Sequence, residues 1–216
     1  MPLSDADIAR LYAYPSTDRP WVRTNFVSTI DGAAHAEDGR SGSLGGDIDT
    51  RVFHVLRSLA DVVVVGAGTA RTESYGPTDR PIAVVSRSLD IPDQLVVPGQ
   101  VVITTADAPA DGLRRLRETV DVIAVGEGHV DWPAVLDELA SRGWLRVMCE
   151  GGPSLHGELI GLDLVDEVCL TIAPVVSAGG APRIAHGTVA KDRPMTLGHA
   201  LDVDGVLLTR WVRDRA

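Results

Sequence analysis

The sequence predicts an α/β protein built on a mostly parallel sheet, closed at its C-terminal end by an antiparallel hairpin. Short runs rich in β-branched residues recur along the chain, and amphipathic stretches long enough to cross over lie between several of them. After Pro174 that alternation stops, and a Gly/Pro-containing stretch leads through a polar segment to two strand-like runs around Asp204-Gly205.

Seven runs, at 21–28, 61–65, 82–86, 101–104, 120–125, 145–149 and 167–172, read as buried strands, because strands covered on both faces are nearly continuous in apolar residues. The segments 47–60, 111–119 and 132–142 read as helices that carry the chain back to start the next parallel strand. The region 200–213 reads as the hairpin added at the sheet edge. No repeat, low-complexity tract or linker divides the chain, so residues 1–216 are expected to form a single domain.

Composition excludes some partners. The 20 Lys plus Arg stand against 30 Asp plus Glu, a net charge of −10 that gives phosphate backbones no long-range attraction, so no nucleic acid is expected. No apolar run approaches the roughly 18 residues of a membrane helix, and Met1-Pro2-Leu3-Ser4-Asp5 has no secretory pattern, so a cytoplasmic address without membrane contact is expected. Cys149 and Cys169 each lie in an apolar run and are expected as free core thiols.

Two strand-to-helix turns carry the chemistry. Val65-Gly66-Ala67-Gly68-Thr69 ends a strand in glycines and a threonine suited to a helix cap. Such a turn is either a tight connection or a place where backbone N–H groups approach a phosphate or a nicotinamide. In Cys149-Glu150-Gly151-Gly152-Pro153-Ser154-Leu155, Gly-Gly permits a special backbone and Pro153 suits a first helical turn whose N-terminus faces an anion. Glu150 is either a helix cap or a functional carboxylate.

Other polar residues have a structural alternative too. Asn25 and Asp31 lie on or just after the first strand, and Asp31-Gly32 is also an ordinary turn pair. Ser41 and Ser43 offer hydroxyls from a turn-rich loop, and Arg57 offers a guanidinium to a phosphate from the following helix, or else forms a solvated face. Ser86-Arg87-Ser88 ends a strand with two hydroxyls flanking an arginine, a trio that fits a 2′-phosphate and favours NADPH over NADH, or is a polar loop. His35-Ala36-Glu37 matches half of a zinc deaminase signature, but the two cysteines lack the P-C-x-x-C spacing, so no metal is expected.

Taken in order, Val27-Ser28-Thr29-Ile30-Asp31-Gly32, Leu56-Arg57, Val65-Gly66-Ala67-Gly68-Thr69, Cys149-Glu150-Gly151-Gly152-Pro153 and Leu164-Val165-Asp166-Glu167 resemble the reductase domain of riboflavin biosynthesis. The match is to the C-terminal domain of the bifunctional bacterial deaminase-reductase, from about Trp21 onward. The resemblance implies a dihydrofolate-reductase-like, three-layer fold and NADPH-dependent reduction of the ribose of 5-amino-6-(5-phosphoribosylamino)uracil to the ribityl product. Positions matching cofactor contacts are Val27, Ser43, Thr69, Glu73, Ser86 and the turn with Gly151, Gly152, Pro153, Ser154 and Leu155; those matching substrate contacts are Asn25, Ser41, Arg57 and Glu150. Asp31 and Glu150 are the candidates for proton movement, Arg57 for the 5-phosphate, and the glycine pair for a cis peptide.

Two positions depart from the bifunctional enzymes: Asn25 replaces a lysine, as in stand-alone archaeal and fungal reductases, and Glu73 replaces an aspartate and is followed by Ser74-Tyr75-Gly76-Pro77. No deaminase domain accompanies the sequence, so another chain is expected to supply the substrate. The resemblance also implies a homodimer, with the C-terminal hairpin as the expected interface. A pterin reductase on the same fold and a non-catalytic NADPH-binding module are the alternatives.

Overall fold

The computed structural model describes residues 3–187 and 190–215; residues 1–2, 188–189 of the polar segment and 216 lie outside them. Among the described residues there are nine strands: β1 (Trp21–Ser28), β2 (Val62–Gly66), β3 (Ile82–Val85), β4 (Val101–Thr104), β5 (Asp121–Ala124), β6 (Arg146–Cys149), β7 (Glu167–Ile172), β8 (Met195–Val203) and β9 (Val206–Arg213). They form one sheet in the order β5-β4-β3-β2-β6-β1-β7-β9-β8. The strands from β5 to β7 run parallel, whereas β9 pairs antiparallel with β7 and β8 antiparallel with β9.

Among the described residues six α-helices, α1 (Asp5–Leu11), α2 (Gly46–Leu59), α3 (Ala67–Thr72), α4 (Ala110–Arg117), α5 (Trp132–Ser141) and α6 (Pro153–Gly161), cover the sheet. The strand period of two sorts the valines of β2 between them. Val62 and Val64 pack with α5 and α6 through Trp132, Val135, Leu155 and Leu159. Val63 and Val65 pack with α3 and α4 through Ala67, Ala70 and Leu116. On the side of Met148 and Cys169, α1 and α2 add Ile8, Tyr12, Val52 and Leu56. The result is the three-layer α/β arrangement with a mostly parallel sheet.

Four details differ from the sequence reading. Helix α1 was not foreseen; Ser4 caps it in a reciprocal capping box with Asp7. Helix α3 begins at Ala67 with Gly66 as its N-cap, so Thr69 is its third residue and not its cap. Strand β8 begins at Met195, five residues before the predicted start at 200, and carries a register irregularity between Leu197 and His199. Its exposed, polar face hides the alternation that identifies a strand. Finally, the Asp166-Glu167 pair of the resemblance is structural. Asp166 accepts from the Val22 N–H and pairs with Arg19 and Arg215, while fully buried Glu167 pairs with Arg23 and Arg210 at the amino ends of β1 and β7. Both cysteines are free and buried, and burial pushes the Cys149 thiol up to about 12.

Candidate active site

Because β1, β2, β3 and β6 are parallel, their carboxyl ends open on the same edge of the sheet, where ligands of such folds bind. There the two glycine turns meet: the Gly66 N–H donates to the Gly151 carbonyl at 2.6 Å, and the Glu150 N–H donates to the Val64 carbonyl at 2.9 Å. The Gly151-Gly152 peptide is cis, and Gly151 has φ +80°. A Cβ on Gly151 would lie 2.7 Å from the Phe26 ring, and one on Gly152 would lie 2.6 Å from the Thr69 hydroxyl, so neither glycine of this second turn accepts a side chain without a neighbour shifting. Beneath them Phe26 stacks on His156 at 4.4 Å between centroids. His156 is fully buried between the Thr24 hydroxyl at 3.2 Å and the Ile184 carbonyl at 2.9 Å; burial pushes it down to about 4, so it is neutral.

A cavity of about 670 Å³ opens on one side of the turns. Asn25, Val27, Ser41, Arg57, Glu73 and Glu150 all line it. The Arg57 guanidinium grips the Glu150 carboxylate with two donors, Nε to Oε1 at 2.7 Å and Nη2 to Oε2 at 2.6 Å. Tyr75 donates its hydroxyl to the same Oε2 at 2.5 Å. The guanidinium lies between the Phe53 and Tyr75 rings, 4.2 and 4.8 Å from their centroids. Burial and the adjacent Glu150 charge hold the Tyr75 hydroxyl well above its ordinary range, so it keeps its proton. On another wall, Glu73 Oε1 accepts from the Ser41 N–H at 2.8 Å and the Ser41 hydroxyl at 2.9 Å.

A groove of about 750 Å³ lies on the other side and shares Gly68, Thr69, Gly152 and Pro153 with the cavity. Ser86, Ser154 and Leu155 line it, with Arg87 and Ser88 beyond Ser86. Its chemistry fits a dinucleotide. No side chain caps either α3 or α6, leaving first-turn N–H groups free to bind a pyrophosphate. Gly68 has nothing within 4 Å of where its Cβ would be, so the shared opening between groove and cavity is clear for a planar ring.

Three predicted residues sit elsewhere. The Asp31 carboxylate accepts from the Thr29 hydroxyl at 2.5 Å and the Ala178 N–H at 2.7 Å, tying two loops together outside the cavity lining. These bonds, the Thr29 hydroxyl first, hold its carboxyl down at about 2. Ser43 is exposed and lines neither space. Gly151 is buried beneath the turn. Conversely, the sequence reading missed Phe26, Asp49, Phe53 and Tyr75 as lining residues. Tyr75 stood in the departure after Glu73, and its aromatic ring at a turn rich in Gly and Pro was the available signal. Among the described residues no group of three His, Cys, Asp or Glu is placed to hold a metal, and no helix is long and apolar enough to cross a membrane.

Residues 20–206 match the model of the RibD C-terminal domain. The chain belongs to that family. Among its relatives, the 2,5-diamino-6-ribosylamino-4(3H)-pyrimidinone 5′-phosphate reductase of Methanothermobacter thermautotrophicus is 31% identical over 74% of this chain and 81% of its own. The reductase of the same name from Aquifex aeolicus is 30% identical over 79% and 84%. In structure, a pyrimidine reductase-like protein of Corynebacterium diphtheriae superposes with a TM-score of 0.80 at 25% identity, covering 97% of this chain and 99% of that one. The riboflavin biosynthesis reductase of Saccharomyces cerevisiae shares the fold, with a TM-score of 0.72 at 16% identity over 95% and 97% of the two chains. This RibD-family chain is thus a reductase of riboflavin biosynthesis type.

Proposed function

We propose that the protein is an NADPH-dependent reductase acting on a 5-amino-6-ribosylaminopyrimidine 5′-phosphate and converting its ribosyl group to ribityl. The observation that carries this reading is the junction of the two glycine turns, Gly66 to Gly151, beside Gly68, Thr69, Gly152 and Pro153, which among the described residues line both the groove and the cavity. A cofactor laid along the groove brings its nicotinamide to that junction, against a substrate in the cavity.

In the substrate, ring opening gives a C1′ imine; hydride adds to that carbon and a proton to its nitrogen, leaving a secondary amine. When bound, NADPH supplies the hydride. Uncapped α3 and α6 would hold its pyrophosphate, and Ser86 and Arg87 would hold the 2′-phosphate that separates it from NADH. Tyr75, protonated and hydrogen-bonded to Glu150, keeps a proton at the cavity wall. Arg57 has two donors committed to Glu150, so it offers a phosphate only the Nη1/Nη2 end of its guanidinium.

The test is NADPH oxidation with the aminopyrimidine ribotide, with mass spectrometry of the ribityl product and dihydrofolate as a parallel substrate. Cofactor binding without turnover of the ribotide refutes the reading, and preferential turnover of dihydrofolate makes the protein a pterin reductase. Arg87→Ala is expected to raise the KM for NADPH about tenfold and leave that for NADH unchanged. We extend the reading to a cytoplasmic homodimer joined through the hairpin, whose Leu197 and Leu207 are exposed; light scattering of the purified protein tests the dimer.

A further inference from the structure

The far end of the groove is built from the loops that follow β3, β4 and β5. These strands are parallel neighbours, with Val85 beside Ile103 and Thr104 beside Ala124, so their carboxyl ends release the chain side by side. Arg87, Asp107 and Gly128 stand two, three and four residues beyond those ends, and all three line the groove. Gly128 joins the other two. Its N–H donates to both carboxylate oxygens of Asp107, at 3.2 and 3.1 Å, and its carbonyl accepts from Arg87 Nη1 at 3.3 Å.

The two arginines of the groove differ in what they have left to offer. Arg71 is engaged by Asp90, through an ion pair at 3.0 Å and a bond to its carbonyl at 2.5 Å. Arg87 pairs with no carboxylate among the described residues, and its acceptor on Gly128 is neutral, so its charge is left for an anion. A carboxylate at this end of a dinucleotide groove has two possible roles. It can accept the ribose 2′-hydroxyl, which favours NADH, or it can hold the wall on which a phosphate-binding side chain rests. For Asp107 the bonds favour the wall. Both of its oxygens already face the Gly128 N–H, and the Thr105 hydroxyl and that N–H hold its carboxyl below its ordinary value.

We infer that Asp107 is a positioning residue for cofactor choice: by fixing Gly128 it holds the Arg87 guanidinium ready for the 2′-phosphate, and so raises the preference for NADPH over NADH. The inference rests on the assignment of the 2′-phosphate to Ser86 and Arg87 made above. Arginine has more rotamer freedom to lose than most side chains, so fixing it in advance removes part of that cost from binding. NADH carries no group that meets Arg87 and gains nothing from it.

The experiment is fluorescence titration of NADPH and NADH, which gives Kd without turnover, on the wild type, Asp107→Ala, Asp107→Asn, Arg87→Ala and the double alanine variant. Asp107 is exposed on a loop, so these substitutions are expected to leave Tm unchanged. Asp107→Ala removes the acceptor and is expected to weaken NADPH about fivefold, with NADH held within about twofold. Asp107→Asn keeps an oxygen for the Gly128 N–H, so NADPH is expected to bind within about twofold of the wild type. Because Asp107 acts through Arg87, the double variant is expected to bind NADPH no more weakly than Arg87→Ala alone. Losses that multiply, equal weakening of both cofactors, an asparagine variant as weak as alanine, or a loss confined to NADH each overturn the role of Asp107. The 2′-phosphate assignment survives those results as long as Arg87→Ala still weakens NADPH. An Arg87→Ala variant with unchanged NADPH affinity, or a wild type that binds the two cofactors alike, overturns that assignment and the inference with it.

Discussion

Replacing Glu150 with Gln removes a charge from the wall of the substrate cavity while keeping its volume. The Glu150 side chain is 2% exposed and that of Arg57 16%, and the carboxylate accepts three hydrogen bonds, two from Arg57 and one from Tyr75. Breaking a buried pair by removing one partner costs about 3–5 kcal/mol, because the remaining charge stays out of water. Glutamine keeps one carbonyl for either donor but turns its own N–H₂ toward the others, so the lower end, about 3 kcal/mol, is expected. For a chain of this length that is a fall of about 6–12 °C in Tm. The assay is calorimetry of the ligand-free protein at neutral pH, with Arg57→Met and the double variant completing a thermodynamic cycle. Coupling of about 2 kcal/mol is expected, with the double variant more stable than the sum of the single changes predicts. Additive effects, or Glu150→Gln melting within about 1 °C of the wild type, would show that the pair does not hold this wall.

Three further outcomes follow from the same geometry. Gly68→Ala puts a methyl group into the open space between groove and cavity, so it should raise the KM for NADPH while Tm holds or rises, alanine being better by about 1 kcal/mol inside a helix; unchanged cofactor affinity would place the nicotinamide elsewhere. Buried His156 is neutral down to about pH 4 in the fold and titrates near 6.5 when unfolded. The unfolded chain therefore binds the extra proton in that window, and stability falls by about 3 kcal/mol as pH drops from 6.5 to 4. Urea titrations should show His156→Gln losing less stability than the wild type across this range, and parallel pH curves would count against a buried neutral imidazole. Asp31→Asn should leave kcat/KM within about twofold, since its carboxylate ties loops outside the cavity; a loss of about a hundredfold, the scale of a removed acid or base, would return Asp31 to the chemistry.

How far the sequence carried the fold depended on burial. The strands β2, β3 and β4 are buried nearly throughout, so hydrophobicity alone marked them, and the α6 start was written in Gly152-Pro153. Strand β8 lies at the sheet edge with few buried positions, and its first residues carried no readable period. The same holds for the site. The glycine turns announced themselves because close backbone approach admits few other residues. Asp49 did not, since an aspartate in the first turn of a helix is ordinary there, and only the third dimension shows it facing a cavity. Tyr75 became informative only once Glu150 was placed beside it.

Partner counting separates carboxylates that sequence pattern treats alike. At the amino ends of the strands, Asp166 is matched by Arg19 and Arg215 and Glu167 by Arg23 and Arg210; both are 1% exposed or less, and neither the substrate cavity nor the groove reaches them. Such acids are closed on themselves, and their removal should appear as lost stability with no change in substrate choice. At the carboxyl ends Glu150 has one arginine and one tyrosine, and still touches the cavity. It couples stability to activity, which is why its substitution should move Tm and kcat together. Asp49 lines the same cavity, with the Thr171 hydroxyl beside it. Along this series the group moves from framework to ligand space, and the effect of its substitution is expected to pass from stability to activity.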